Sequence, residues 1–355
     1  MQRKIRTVIA LLLIPQYVLI KCLGNYPNFV ETYYSNGLYP FVSKIFRYVL
    51  GWLPFSFGDV LYAFSIIYAI RWFVLNRKRL RKDTLNWFLE VTSTVSIVYF
   101  MFHILWGLNY YRLPLHENLK LNADYTTEEL VSITEKLVFK ANEIHLKITK
   151  NDTLRVDSPY NSEIILQKTP EGYHRLKRIF PHLEYHPESI KKSLLSYPLS
   201  YMGFSGYLNP LTNESQVNYL IPAYKIPTTS SHEIAHQLGY AAENEANFIG
   251  CLAAINHDDI YFKYSGYVFG LSYCLNELYF RDECLYEDVV ADINIGILKN
   301  YQESRNFWEA HQNITEPFFK LFYNNYLKAN KQDKGLESYS YVVALIVNYF
   351  NEKSL

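Results

Sequence analysis

The residues best suited to chemistry lie in one short run, His232-Glu233-Ile234-Ala235-His236. Two histidines four positions apart fall on one face of an α-helix, one turn apart, which suits two ligands of a single tetrahedral zinc ion. A glutamate directly after the first histidine lies beside the open coordination position, where it can take a proton from water and pass it to a leaving amine. The run therefore predicts a Zn²⁺ site with His232 and His236 as ligands and Glu233 as the general base.

A third protein ligand is expected shortly after this run. Gly239 is a natural helix C-cap that lets the chain reverse, and Glu243 would then fall in the first turn of an antiparallel helix. Glu243 shares a face with Asn247, whereas Glu245 points about 200° away, so both glutamates cannot ligate one ion from a regular helix. We predict Glu243 as the third ligand and keep Glu245 as the alternative.

The residues HEIAHQLG followed by ENEANF resemble the gluzincin metallopeptidases, in which a glutamate of an E-x-x-A-[ND] pattern on the next helix joins HExxH. Here that pattern is Glu243-Asn244-Glu245-Ala246-Asn247, and the loop before it is shorter than in most gluzincins. More closely, the chain resembles the bacterial membrane-protein family known as domain of unknown function 3810. The matching stretches are WGLNYYR (106–112), GFSGYLNPLTNESQVNYLIPAY (203–224), HEIAHQLGYAAENEANF (232–248) and YSGY (264–267). This resemblance implies a metal site and a membrane anchor, and it implies no particular substrate.

Substrate binding and charge stabilisation need further residues. In zincins an edge strand before the metal helix binds an extended peptide by strand addition, and the run from Glu214 to Pro222 has this position. Asn218 and Tyr219 are the predicted substrate contacts, the alternative being an ordinary buried strand. Tyr264 and Tyr267 are the predicted donors to the oxygen that becomes negative during attack.

The elements that must position these residues are mainly helical. Thr126 and Glu129 form a capping-box pattern that opens a helix. Hydrophobic periodicity from residue 228 onward predicts a series of further helices. They are Thr228–Leu238, Glu243–Asn256, Ile260–Phe280, Glu287–Gln302, Thr315–Ala329 and Tyr339–Phe350. The predicted fold is thus mainly α, a zincin-like domain with a small β element before the HExxH helix.

Three apolar stretches near the amino terminus predict transmembrane helices at about 7–23, 57–75 and 87–108. Basic clusters at 3–6 and 77–82 place the amino terminus and the second loop in the cytoplasm under the positive-inside rule. Residues 1–110 are then a membrane anchor. Residues 111–355 form an extracytoplasmic domain, in the periplasm if the membrane is a bacterial inner membrane.

Two further features leave alternatives open. The segment from Tyr39 to Trp52 is either an amphipathic helix lying on the outer membrane surface or a loop packed on the soluble domain. Cys274 and Cys284 would be able to form a disulfide in an oxidising compartment, but their spacing does not establish one.

Composition narrows the functions. A net charge of +1 and a pI of about 7.6 argue against nucleic-acid binding, and a mean hydropathy of −0.11 argues against a fully embedded transporter. We predict a zinc metallopeptidase whose partners are the lipid bilayer and a polypeptide substrate, either extracytoplasmic or membrane-adjacent. The alternatives are an amide hydrolase for a small molecule or lipid, and a non-catalytic scaffold with a zinc site. Glu233 argues against the scaffold, since a structural zinc site does not need it.

Overall fold

The computed structural model describes residues 2–331 and 339–353 and is 73% helical with three short strands, which confirms the predicted mainly α fold. The amino-terminal helices are α1 Gln2–Leu23, α2 Pro27–Phe29, α3 Tyr39–Leu50, α4 Phe57–Asn76, α5 Arg79–Lys82 and α6 Thr84–Leu105. A π-helical segment, Val30–Leu38, precedes α3, and a short 3-10 helix, Gly107–Tyr111, follows α6.

The remaining elements form the larger carboxy-terminal part. Before the metal motif they are α7 Leu115–Leu119, α8 Thr127–Thr149, α9 Ser162–Lys168, α10 Pro170–Leu176, β1 Ile190–Lys192, α11 Ser196–Met202, β2 Gly206–Asn209 and β3 Glu214–Val217, with 3-10 turns at Pro181–Leu183 and Ala223–Lys225. From the motif onward they are α12 Ile226–Gln237, α13 Glu243–Ile255, α14 Ile260–Arg281, α15 Glu283–Ala291, α16 Ile295–Ala310, α17 Glu316–Ala329 and α18 Tyr339–Glu352. The main hydrophobic core is formed by buried side chains from α8, α13, α14 and α18.

Three helices are long and apolar enough to cross a membrane, Arg3–Leu23, Phe57–Asn76 and Thr84–Leu105. They correspond to the three predicted spans and indicate a membrane protein. The third begins and ends about three residues earlier than predicted, because Trp106 leaves the helical conformation and the aromatic run after it forms the 3-10 helix.

Most predicted helix bounds of the carboxy-terminal part agree with the structure. The capping box at Thr126 and Glu129 is present and opens α8. The prediction of one continuous helix over Glu287–Gln302 was wrong, because two helices, α15 and α16, occupy that region. Asp282 caps α15 earlier than expected by accepting from Leu285 N, and Asn294 begins the second helix while its own N–H donates to Asn142.

The three strands form a small sheet with the order β1-β3-β2, in which β3 pairs parallel with β1 and antiparallel with β2. One face of β3 lies on α12, where the Ser215 hydroxyl donates to the carbonyl of Glu233. The other face contacts the start of α4, where Gln216 donates to Ser56 and the Glu214 carboxylate accepts from the amide of Gly58. The sheet therefore lies between the metal-motif helix and the beginning of the second apolar helix.

Helix α3 packs on the carboxy-terminal part through one face and exposes the other. Tyr39, Ser43 and Arg47 are buried, whereas Phe41 and Tyr48 are exposed. The sequence left two interpretations of this segment open, and the buried face agrees with the one in which the segment packs on the carboxy-terminal part. Cys274 and Cys284, the two cysteines whose spacing left a disulfide open, are both free.

Candidate metal centre

The reversal between α12 and α13 brings the predicted ligands together. Gly239 has φ +95°, a conformation that favours glycine, and the amide of Tyr240 donates to the carbonyl of Ala235 in the pattern of a Schellman cap. Helix α13 then begins at Glu243 and runs back along α12. Helix α12 starts at Ile226, two residues earlier than expected, with Pro227 in its first turn.

Four side chains converge at this reversal. Ligand atoms of His232, Glu233 and His236 lie within 4.8 Å of one another. The Glu243 carboxylate lies between the two imidazoles, with Oε2 at 3.4 Å from His232 Nε2 and Oε1 at 3.5 Å from His236 Nε2. Two imidazole nitrogens and one carboxylate are the three protein ligands that some catalytic zinc sites have.

Neighbouring groups orient these ligands. His236 Nδ1 is 2.7 Å from the carbonyl of Tyr240, and since a carbonyl only accepts, Nδ1 carries a proton and Nε2 is the nitrogen that would bind a metal. Burial opposes charge on this imidazole, but the Glu243 carboxylate outweighs it and raises the pKa of His236 to about 9. The Glu243 carboxylate also accepts from the hydroxyl of Tyr323 at 2.5 Å.

Glu233 is 3% exposed and has one oxygen, Oε2, with no hydrogen-bond partner among the described residues. Its other oxygen lies against β2, where a Cβ added to Gly206 would be 2.6 Å from Oε1. The same Cβ would be 2.7 Å from the backbone oxygen of Gln216, which cannot move away easily, so glycine is required at this point of the strand. Burial raises the pKa of Glu233 to about 7, and the two neighbouring histidines reduce this effect. A carboxyl whose pKa lies near neutrality can both accept and donate a proton.

The alternative ligand, Glu245, points away from the histidines. It is 5% exposed, and its carboxylate accepts from the amide of Leu115 at 2.7 Å. Burial raises the pKa of Glu245 to about 7, although the nearby charge of Arg112 acts in the opposite direction. The two glutamates of α13 thus have separate environments: Glu243 lies beside the two imidazoles, and Glu245 lies near Arg112.

Residues beside the apolar helices hold the end of α12. The carbonyl of His236 accepts from Trp106 Nε1 at 3.0 Å, and the next carbonyl along accepts from the Tyr39 hydroxyl at 2.8 Å. Arg112 donates to the carbonyl of Gly239 at 2.9 Å. The last carbonyls of a helix lack their regular partners inside the helix, so these side chains supply hydrogen bonds there, in addition to the one that the His236 carbonyl accepts from the amide of Gly239. The amino-terminal part is consequently built into the site.

The structure does not bring Tyr264 or Tyr267 to this cluster. Tyr264 is fully buried and its hydroxyl donates to Asn300 at 2.7 Å, while Tyr267 is buried in the main core. The tyrosine that reaches the cluster is Tyr323 on α17. It lies 80 residues after Glu243 and has no local pattern that would distinguish it from the other tyrosines of the chain.

The predicted substrate strand also requires correction. β3 is the central strand of the sheet, so both of its edges are paired and it cannot accept a further strand. Asn218 is fully buried, and its amide donates to Ser200 and to the carbonyl of Phe204. Tyr219 is 38% exposed, and Lys192 Nζ lies 5.8 Å from the centre of its ring. The edge strand beside the cluster is β2.

Fold and cluster together define a mainly α-helical membrane protein with a histidine and carboxylate group that could hold a metal ion. Over residues 34–347 the chain matches the family described as protein of unknown function (DUF3810), and it belongs to that family. No curated protein and no solved structure was found to match the chain. Family membership assigns no reaction, so a function has to be argued from the geometry of the cluster.

Proposed function

We propose that the protein is a zinc metallopeptidase of gluzincin type, anchored in a membrane. The observation that carries the proposal is the convergence of His232, His236 and Glu243, with the carboxylate of Glu233 beside them. A closed structural zinc site has four protein ligands and no need of a further acid, whereas catalytic sites have three ligands and an open position. Three ligands with an additional buried carboxylate support hydrolysis.

The residues present fit zinc. Nitrogen and carboxylate donors are those that zinc prefers, and the hydrogen bond from His236 Nδ1 to the Tyr240 carbonyl is the kind of support that ligating histidines have in zinc sites. A bound zinc ion would supply Lewis acidity and lower the pKa of a coordinated water. His232, His236 and Glu243 would hold the ion.

Glu233 would move the proton. Its unpaired Oε2 is available to accept a proton from water, and a pKa near 7 lets the resulting acid donate the proton to a leaving amine. Tyr323 would stabilise negative charge on the attacked carbonyl oxygen by turning its hydroxyl proton from Glu243 to that oxygen. Burial and the adjacent Glu243 carboxylate hold its pKa well above the usual range, so the hydroxyl keeps this proton.

A polypeptide substrate is favoured by the position of β2. In the described sheet β2 pairs with β3 along one edge and with no strand along the other. Its backbone at Gly206 lies directly against Glu233. An extended peptide added to the other edge would run past the catalytic carboxylate and gain main-chain hydrogen bonds. In this proposal β2 replaces Asn218 and Tyr219 as the substrate-binding element.

The substitution Glu233→Gln tests the catalytic part of the proposal. The amide preserves the shape of the side chain but cannot act as a base, so turnover is expected to fall at least about 100-fold while zinc content and folding persist. Purified full-length protein would be incubated with a mixture of extended peptides, and cleavage would be read by mass spectrometry. Glu287→Gln, at an exposed position on α15, is the matched control. Undiminished cleavage by the Glu233 variant would assign the base elsewhere.

Orientation in the membrane is a second part of the proposal, with the amino terminus in the cytoplasm and the carboxy-terminal part outside. The basic residues that follow α4 and form α5 support it, because such clusters are retained on the cytoplasmic side. Reporter fusions after Asn76 and after Asn122 are expected to report cytoplasmic and external locations, respectively. The same location from both fusions would show that α6 does not cross the membrane.

A further inference from the structure

A cavity of about 1180 Å³ lies between α14, α15 and α16, and it reaches the first turn of α12. Its lining includes none of the four residues of the metal cluster. The volume exceeds the usual range for small-molecule sites, about 300–1,000 Å³, so the cavity has room for a ligand of considerable size. It is a second candidate site on the same molecule.

Two cations line this cavity without a carboxylate partner. The Lys225 ammonium contacts the hydroxyl of Ser304 at 3.3 Å, and the Arg305 guanidinium bonds to the amide oxygen of Gln302 at 2.7 Å. Within 2–331 and 339–353, no carboxylate lies within 4.0 Å of either cation. Arg305 is exposed, but Lys225 is half-buried, and a lysine is rarely withdrawn from water unless an anion pairs with it.

The one acid of the lining does not change this balance. The Glu277 carboxylate is paired with Arg281 at 2.8 Å, one turn along α14. Lys225 is also partly withdrawn from solvent, and burial lowers its pKa, with no nearby negative charge to oppose this shift. The cavity therefore has a surplus of positive charge near the beginning of α12.

The rest of the wall is largely aromatic. Phe269 and Tyr286 face the cavity from α14 and α15, and Phe280, which is 75% exposed, lies among the same lining residues. Large aromatic rings at a partly open cavity offer apolar contact area to a ligand. A cation at one end and aromatic rings along the wall suit a molecule that has one charged group and an apolar body.

We propose that this cavity binds an amphipathic anion, a molecule with one carboxylate or phosphate group on an apolar body, whose charged group contacts Lys225 and whose body packs on the aromatic wall. The Ser304 hydroxyl, 3.3 Å from Lys225 Nζ, would add a hydrogen bond to the same group, and Arg305 lines the same cavity. Thr228 and Ser265 are already hydrogen-bonded to each other, so the lysine is the principal anchor.

Calorimetric titration of the full-length protein in nanodiscs tests this proposal with four probes. They are 3-phenylpropionate, its neutral analogue 3-phenylpropanamide, phenyl phosphate and inorganic phosphate. The carboxylate is expected to bind at least about tenfold more tightly than the amide, and Lys225→Met is expected to weaken it about ten- to hundredfold, since a hydrogen bond to a charged group contributes about 1.5–3 kcal/mol. Lys136→Met, at an exposed position on α8, should bind like the wild type.

The probes also separate the sources of the anion. Binding of both phenyl probes supports a site for either anion, and binding of phenyl phosphate alone supports a phosphate ligand. Equal affinity for the carboxylate and the amide, or no binding of any probe, would overturn the proposal, as would inorganic phosphate binding as tightly as phenyl phosphate. Ser272→Trp fills the cavity without touching a charge, and it should abolish binding even if Lys225→Met does not fold.

Discussion

Replacing Glu243 by glutamine is expected to lower the zinc affinity of the protein by well over tenfold. The carboxylate is within 3.5 Å of both imidazole Nε2 atoms, and a neutral amide is a much weaker ligand for a divalent cation than a carboxylate. Burial alone would raise the pKa of Glu243, but the charge of His236 outweighs it and holds the pKa well below the usual range. The group is therefore ready to ligate at neutral pH. Metal analysis after dialysis against graded zinc buffers measures the change.

Glu245→Gln is the matched comparison, because it makes the same chemical change two residues away on the same helix. Glu245 accepts from a backbone amide and lies near Arg112, not near the histidines. Its substitution should therefore lower zinc affinity by less than about tenfold, below the roughly 10–100-fold that is typical when a group bonded to a ligand is changed. If Glu245→Gln lost zinc while Glu243→Gln retained it, the two roles would have to be exchanged.

Local patterns in the sequence predicted the parts of the site that lie close together along the chain. Histidines one turn apart, a glycine at the reversal and an acid at the start of the next helix are separated by a few residues each. Helical geometry therefore fixes their relation once the two helices form. The three apolar helices were predictable for the same reason, since length and hydropathy are local properties.

Long-range pairings were not predictable in this way. The run that ends in β3 has the composition of a strand, but its place in the middle of the sheet depends on β1 and β2, which lie before it in the chain. Tyr323 reaches Glu243 because α17 packs near the cluster, where its ring lies against Phe204. Trp106 and Tyr39 donate hydrogen bonds to carbonyls of α12 that lie more than 100 residues later in the chain. These contacts join residues that are far apart in the chain, so they produce no local pattern that can be recognised in a single sequence.

A buried ion pair between Arg112 and Glu31 contributes to the connection between the amino-terminal part and the end of α12. Arg112 and Glu31 form two hydrogen bonds, 2.7 Å and 2.9 Å long, and their side chains are 6% and 11% exposed. The same guanidinium donates to the carbonyl of Gly239 and lies 4.2 Å from the ring centre of Tyr240. Burial favours the uncharged form of Arg112, but neighbouring negative groups, Glu31 among them, outweigh it and raise its pKa. The arginine therefore remains charged, and it holds the turn that sets the distance between the two metal helices.

Glu31→Gln is accordingly expected to destabilise the protein by about 3–5 kcal/mol, because it leaves a buried guanidinium without its counter-charge. Thermal unfolding of the full-length protein in detergent, with and without a zinc chelator, would show a lower Tm in both conditions if the effect arises from the ion pair. Zinc occupancy should fall as well, since Arg112 would hold the Gly239 carbonyl less firmly. Glu117→Gln, an exposed position on α7, should leave Tm and zinc occupancy unchanged. A Glu31 variant as stable as the wild type would mean that the ion pair between Arg112 and Glu31 does not support the reversal between α12 and α13.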